Sequence, residues 1–218
     1  RRMGSSVPKQ FLALGQQTVW GHSLESLWNA VDLAGLVLFS EGNPAMASII
    51  EQYSNHKLLR APGGAERCHS VLNGLEALQS EAAPDDWVLV HDAARPCVRQ
   101  QDLKQLCQQL SGHAVGGLLG VPARDTMKQA NRYFEIETTV PRNNLWHAFT
   151  PQMFRYGLLH EALGSALAAG LEVTDEASAM EHAGHQPLMV EGHADNIKIT
   201  RPEDLLLAEW YLRQQGRL

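Results

Sequence analysis

Trp87-Val88-Leu89-Val90-His91-Asp92-Ala93-Ala94-Arg95-Pro96 is the stretch whose reading decides the fold. It follows the turn signal Ala83-Pro84-Asp85-Asp86 and opens as a short apolar run. A Val-rich run bounded by turn residues predicts a strand buried on both faces. The character then changes. His91, Asp92 and Arg95 are polar, and Pro96 cannot continue a central ladder. An acid and a guanidinium are thereby placed just past the carboxyl end of a core strand, the edge at which open α/β sheets bind ligands. The bland alternative is a surface loop in which Asp92 and Arg95 merely pair with each other.

Working outward, the chain alternates apolar strands with helical patterns. Leu24, Leu27 and Trp28 mark a helix over 22–31, and Leu36–Phe39 a strand stopped by Glu41-Gly42-Asn43-Pro44. A short helix is expected around Met46 to Tyr53, and a weak strand at Leu58-Leu59. Gly63-Gly64-Ala65-Glu66-Arg67 runs into a helix carrying Cys68, Val71, Leu72, Leu75 and Leu78; free N–H groups there suit an anion or polar ligand. Downstream, a helix from Asp102 to about Leu110 leads to a strand over Ala114–Val121. Residues 122–144 break the rhythm. Their alternation around Asn131-Arg132 predicts a protruding hairpin, whose exposed edges need covering by another subunit. Leu145–Phe149 is expected to be a strand ending at Thr150-Pro151, followed by a helix closed by Gly170. Thr174 is expected to cap a helix with Asp175 and Glu176 in its first turn. Strands at Leu188–Val190 and Ile197–Thr200 and a last helix opened by Pro202 complete the chain. The pattern predicts an α/β fold, with a mostly parallel sheet and helices on both faces.

Composition bounds the function. The 218 residues suit a single domain, 1–218, and 44% apolar residues can build a sizeable core. A net charge of −6 argues against a general nucleic-acid binder, and no apolar run is long enough to span a membrane. Cys68, Cys97 and Cys107 are odd in number and lack metal-type spacing, which suits reduced thiols in the cytoplasm. The opening Arg1-Arg2-Met3-Gly4 lacks a strand before it, so a strand and the loop after it are expected to precede this chain.

His182 and His185 lie three apart, but Gly184 interrupts the helix and a third ligand is missing nearby, so they read as solvated surface. The sequence carries no nucleophile elbow and no P-loop. What remains is Arg2, Lys9, Arg67, Asp92, Arg95, Arg142 and Lys198, a mainly cationic set in an acidic chain. Such a set suits phosphoryl or nucleotidyl transfer, which needs positioning and charge neutralisation more than an enzyme nucleophile. An attacking phosphate is already deprotonated near neutral pH and needs no general base. Residues 1–10 read either as a frayed basic terminus or as a phosphate-gripping loop.

Arg2-Met3 with Pro8-Lys9-Gln10, Gly63–Arg67 with Ser70-Val71, and Val90–Pro96 together closely resemble the 2-C-methyl-D-erythritol 4-phosphate cytidylyltransferase family. The likeness continues through Arg124-Asp125-Thr126, Arg142, Leu145-Trp146, Thr150-Pro151-Gln152, Thr174–Ser178 and Asp195–Lys198. It implies a Rossmann-like nucleotidyltransferase fold, a homodimer joined by a β-arm at about 122–144, and transfer of CMP from CTP to the methylerythritol phosphate in the non-mevalonate isoprenoid route. By resemblance, Arg2 and Lys9 are catalytic, stabilising charge at the α-phosphorus and on the leaving diphosphate. Gly64, Ala65, Arg67 and Ser70 hold cytosine and ribose. Asp92 is counted among the nucleotide-binding residues and, with Arg95, Thr126, Arg142, Thr150, Thr174 and Lys198, also holds the polyol phosphate. Magnesium is carried chiefly by the CTP phosphates. Two departures stand out: the family's Gly-rich segment before Arg-Met is absent from this sequence, and Ala65 replaces an acid that the family often has.

Three other readings stay open at this level. One is a cytidylyltransferase for a pentitol phosphate such as ribitol 5-phosphate. Another is a non-catalytic nucleotide-binding module, against which the pair Arg2 and Lys9 speaks. The third is a dinucleotide-dependent oxidoreductase with an acidic ribose partner at Ser40-Glu41, a reaction with no use for dispersed phosphate-type cations.

Overall fold

The computed structural model describes residues 7–39, 50, 51, 53 and 57–218. Its strands are β1 (Ala13–Leu14), β2 (Gln17–Thr18), β3 (Leu36–Phe39), β4 (Leu58–Ala61), β5 (Trp87–Val90), β6 (Gly116–Pro122), β7 (Met127–Ala130), β8 (Ile136–Val140), β9 (Trp146–Arg155) and β10 (Leu188–Glu191). The main helices are α1 (Val19–Ala30), α2 (Arg67–Ala77), α3 (Gln100–Leu110), α4 (Tyr156–Ala168), α5 (Glu176–His182) and α6 (Glu203–Gln214). Of the helix expected from Met46 to Tyr53 only Ile50, Glu51 and Tyr53 are described, the first two as helical, and Arg2, Ser40 and Glu41 lie outside the described residues.

Four strands form the central sheet in the order β10-β6-β9-β5, and β3 and β4 pair separately in parallel. The sheet is mixed, where the alternation pointed to a mostly parallel one. β10 is parallel to β6, but β9 runs antiparallel to both β6 and β5. The reason is the excursion after β6: the hairpin hands the chain back at the same end of the sheet, so β9 must return antiparallel. β5, β6 and β10 therefore point one way, and their carboxyl ends share one edge.

β9 is also longer than expected, passing through Pro151 instead of stopping there. Pro151 falls where the β6·β9 register shifts between Leu118 and Gly120, and just beyond Gln152, the partner of Val90 on β5. At a bulge no ladder N–H is required, so the proline costs no pairing. By contrast, 197–200 is not a strand; among the described residues its one backbone cross-link to the sheet edge runs from Ile199 N–H to the Ala94 carbonyl. The turn after β10 carries this segment across the sheet edge instead of along it.

Strand alternation sends side chains to both faces. Leu118, Phe154, Val88, Val90 and Met189 pack with α2, α4 and α5. Leu119, Met153, Trp87, Leu89 and Val190 pack with α1 and α3. Each fully buried side chain here contributes about 1.5–3 kcal/mol against exposure. Gly117 is needed for close strand approach, because a Cβ there would meet the Leu188 carbonyl oxygen at 2.1 Å. An apolar cavity of about 600 Å³ lies between β3–β4 and β5, lined by Leu36, Leu38, Leu59, Leu75, Val88 and Val90 among others.

β7 and β8 form the expected hairpin, a two-stranded sheet of its own. Asn131 builds the turn: its side-chain carbonyl accepts from the N–H groups of Tyr133 and Glu135. No helix among the described residues is long and apolar enough to cross a membrane.

Candidate active site

The carboxyl edge of β5 collects the charged groups. Asp92 sits two residues past Val90 with its side chain 11% exposed. Its Oδ1 accepts from Arg67 Nε at 3.0 Å, and its Oδ2 from Lys198 Nζ at 2.8 Å, with Arg95 Nε at 3.5 Å. Burial pushes the Asp92 carboxyl up, but the Arg67 and Lys198 charges outweigh it and hold the group far below the usual carboxylate range. Lys9, in a 3₁₀ turn over Lys9–Phe11, joins the same field. Burial lowers its ammonium pKa, Lys198 and Arg95 lower it further, and Asp92 and Asp204 act in the opposite sense. Chain segments 9, 67, 92–95 and 198 thus converge on one edge.

Each arm of this cluster has a structural cause. Arg67 is the first residue of α2, where it turns back toward the sheet. Its Nη1 and Nη2 donate to Glu176 at 2.6 and 2.9 Å, a bidentate fork. Burial raises the Glu176 pKa and the Arg67 charge only partly offsets this, yet the fork-on-fork geometry is that of an ionised pair. Glu176 is 1% exposed and lies in the first turn of α5, where the helix dipole favours an acid. α5 is capped one residue later than expected. Asp175, not Thr174, accepts from Ser178 N–H in a capping box, because the Ser178 hydroxyl is engaged with the Thr174 and Asp175 backbone. Arg95 donates to the Asn196 carbonyl at 2.7 Å and lies over the Phe149 ring at 5.0 Å. Asn196 in turn donates to the Thr150 carbonyl, which ties the loop bearing Lys198 to β9.

His91 and Thr150 brace the centre. The Asp92 N–H donates to Thr150 Oγ1 at 3.0 Å, and Thr150 Oγ1 lies 3.1 Å from His91 Nδ1. The other ring nitrogen, Nε2, then carries the proton that donates to the Arg95 carbonyl at 3.2 Å. The Arg95 carbonyl can only accept, which fixes the proton on Nε2; burial keeps the ring neutral, so Nδ1 accepts from the Thr150 hydroxyl. Burial pushes the His91 pKa down to about 4, only partly opposed by Asp92. A histidine depressed in the fold binds its proton first in the unfolded chain, so its contribution to stability is lost as pH falls from about 6.5 toward 4. On acidification from pH 7 to 5, wild type loses on the order of 1–2 kcal/mol through this group, several degrees in Tm. In His91→Gln that portion of the acid sensitivity disappears; parallel Tm-against-pH curves for the two proteins would contradict the assignment.

Before α2, the Gly64 N–H donates to Ser70 Oγ at 2.8 Å, and Ser70 Oγ donates to the Glu66 carbonyl. A Cβ on Gly64 would meet His69 Cβ at 2.4 Å, so only glycine lets the loop lie on the helix. Ala65 is exposed at the loop's tip.

Of the residues expected from sequence, Lys9, Arg67, Asp92, Arg95, Thr150 and Lys198 are thus gathered, with Gly64, Ala65 and Ser70 beside Arg67. Arg2 lies outside the described residues. Thr126 and Arg142 sit exposed at the base of the hairpin, where the Arg142 guanidinium donates to the Arg124 carbonyl and makes no described contact with the Asp92 cluster. Thr174 is exposed beside the start of α5. Sequence reasoning did not single out His91, Glu176 or Asn196 as site residues. The acid in the first turn of α5 was the available signal for Glu176; its partner lies 109 residues away.

Residues 1–214 match the family model described as 2-C-methyl-D-erythritol 4-phosphate cytidylyltransferase. The chain is 50% identical over 216 residues to the protein of that name from Pseudomonas entomophila, covering 98% of this chain and 90% of the relative. It is 51% identical over 207 residues to the one from Pseudomonas aeruginosa, covering 94% and 88%. Among solved structures, the protein of the same name from Francisella tularensis superposes with a TM-score of 0.83 at 36% identity, covering 94% of each chain. A crystal structure of 4-diphosphocytidyl-2C-methyl-D-erythritol synthase superposes with a TM-score of 0.83 at 39% identity, again over 94% of each.

Proposed function

This chain belongs to the 2-C-methyl-D-erythritol 4-phosphate cytidylyltransferase family, and from that premise we propose how its own residues transfer CMP from CTP to 2-C-methyl-D-erythritol 4-phosphate. It is a nucleotidyltransferase. A phosphate oxygen of the acceptor attacks the α-phosphorus in line; the bond to the β-phosphate oxygen breaks and diphosphate leaves. The products are 4-diphosphocytidyl-2-C-methyl-D-erythritol and diphosphate. The observation that carries this reading is the convergence of Lys9, Arg67, Arg95 and Lys198 on Asp92 at the carboxyl sheet edge.

Lys9, and Arg2 on the strength of its place in the sequence, stabilise charge growing on the α-phosphoryl group and the leaving diphosphate. Gly64, Ala65 and Ser70 hold the base and ribose with backbone and hydroxyl groups. All three guanidinium nitrogens of Arg67 already engage Asp92 and Glu176, so we assign it to shaping the nucleotide pocket more than to touching the base. Asp92 sets the cations in place between nucleotide and polyol. Arg95, Thr126, Arg142, Thr150, Thr174 and Lys198 hold the acceptor, with Arg142 and Lys198 on its phosphate.

Asp92 is saturated by Arg67, Arg95 and Lys198, which leaves it a poor cation ligand. A Mg²⁺ ion therefore fits on the CTP phosphates with its remaining waters, not in a carboxylate cage. When bound there it withdraws charge from the triphosphate; Lys9 orients the same group from the protein side.

The hairpin supports a homodimer. An isolated two-stranded hairpin is marginal in water, yet this one exposes Phe134 at 91%, Tyr133 at 65% and Ile136 at 64%. An apolar cluster of this kind marks an interface, and a second copy would bring the partner's Arg142 toward the site. Phe134→Glu is expected to shift sedimentation from dimer to monomer and to raise KM for the polyol phosphate, in parallel with Arg142→Ala. A dimer unmoved by the change, or an Arg142→Ala effect confined to CTP, would place these residues differently. We assign the enzyme to the cytoplasm, in keeping with its three free thiols.

Diphosphate release measured with CTP and each acceptor tests the substrate. The expected result is preference for 2-C-methyl-D-erythritol 4-phosphate. Faster turnover with ribitol 5-phosphate would reassign the acceptor, and tight CTP binding without release would indicate a non-catalytic module.

A further inference from the structure

Among the described residues, one group of three metal-donor side chains lies close together outside the Asp92 cluster: Glu66, Cys68 and His69, all donor atoms within 4.8 Å of one another. Cys68 Sγ is 3.7 Å from His69 Nδ1 and 3.9 Å from a Glu66 carboxylate oxygen. We infer that these three side chains form a binding site for a borderline-soft divalent cation, of which Zn²⁺ is the type, at the start of α2.

The distances carry the assignment. Zinc bonds to sulfur at about 2.3 Å and to nitrogen or oxygen at about 2.0–2.2 Å, so a tetrahedral angle sets neighbouring donors about 3.5 Å apart. The two Cys68 separations exceed that by a few tenths of an ångström, and Glu66 and His69 lie within 4.8 Å of each other, gaps that rotation of these two side chains would close. Cys68 is buried and fixes one corner, whereas Glu66 is exposed. Glu66 stands at the N-cap of α2, yet its side chain makes no capping hydrogen bond, so its carboxylate is available for a cation. Water completes the fourth position on the exposed side. Thiol, imidazole and carboxylate donors select Zn²⁺ over Mg²⁺, which prefers six oxygens; the site is thus chemically distinct from any magnesium carried by a nucleotide. Binding displaces the thiol proton to solvent and leaves a thiolate bond. Because Gly64 lies against His69, an occupied site clamps the Gly64–Ser70 loop onto the helix.

Cobalt(II) absorption tests the inference on the intact chain without reference to catalysis. Titration with Co²⁺ is expected to give a near-ultraviolet thiolate-to-cobalt band saturating at one ion per chain, and Zn²⁺ is expected to abolish it. Cys68→Ala should remove the band. His69→Gln and Glu66→Gln should each weaken binding by more than about tenfold, since even outer-shell partners are worth that much. Because Cys68 is a core residue, the two surface variants keep the test decisive if Cys68→Ala misfolds. No charge-transfer band, or a band whose titration midpoint is unchanged in His69→Gln and Glu66→Gln, would overturn the site; the other thiols, Cys97 and Cys107, bond to the Ala208 carbonyl and Met153 sulfur and lie outside the cluster.

Discussion

Lys9→Ala is expected to lower turnover by about 10²- to 10³-fold while the affinity for CTP changes far less, the size seen when one preorganised donor to a developing anion is removed. Burial and the nearby Lys198 charge make the Lys9 ammonium costly to hold charged, and Asp92 and Asp204 only partly offset this. A charge held at such a cost interacts most favourably with the anion that grows during the reaction. Its effect therefore belongs in kcat rather than in ground-state binding. Steady-state kinetics with varied CTP at saturating acceptor separates the two. Equal losses in kcat and affinity would reduce Lys9 to a plain binding residue.

Glu176→Ala is expected to be the most destabilising single change at the site. It leaves the Arg67 guanidinium without its bidentate partner, and breaking a buried pair from one side costs about 3–5 kcal/mol. The Arg67 side chain is 33% exposed, so the lower figure applies: about 3 kcal/mol, or a fall in Tm of about 6–12 °C for a chain of this size. The double variant Arg67→Leu/Glu176→Ala should recover part of that loss, since no charge remains unpaired. If the two single effects simply add, the fork contributes little. Affinity for the cytidine nucleotide should fall in both single variants, because Arg67 also holds Asp92.

The strand Trp87–Val90 and the polar turn after it were legible, because an apolar run ending in Asp, Arg and Pro admits few other readings; its expected burial on both faces was not met, since among the described residues the strand ends the four-stranded sheet and is only partly buried. The hairpin was legible from alternation around Asn131, and the glycine turn before α2 from composition. What the local pattern could not carry was partnership. The direction of β9 depends on where the hairpin returns the chain, and its passage through Pro151 depends on a register shift opposite Leu118 and Gly120. The 197–200 segment has strand-like residues but crosses the sheet edge, where one ladder-type bond forms among the described residues. Likewise the cationic set could be listed residue by residue, but the assignment of Arg67 to Glu176 and of His91 to Thr150 rests on contacts between segments far apart in the chain. Thr126 and Arg142 were named from the family pattern; within one chain they stay at the hairpin base, and the role proposed for them requires a second copy.

The most direct measurement is a structure of the protein with CTP and the acceptor, or inert analogues, bound together. The α-phosphate should lie within about 3 Å of the Lys9 ammonium and the acceptor phosphate within the same reach of Lys198, with the partner's Arg142 closing the far side. A nucleotide seated away from the Asp92 edge, with Lys9 and Lys198 both turned from its phosphates, would contradict the account.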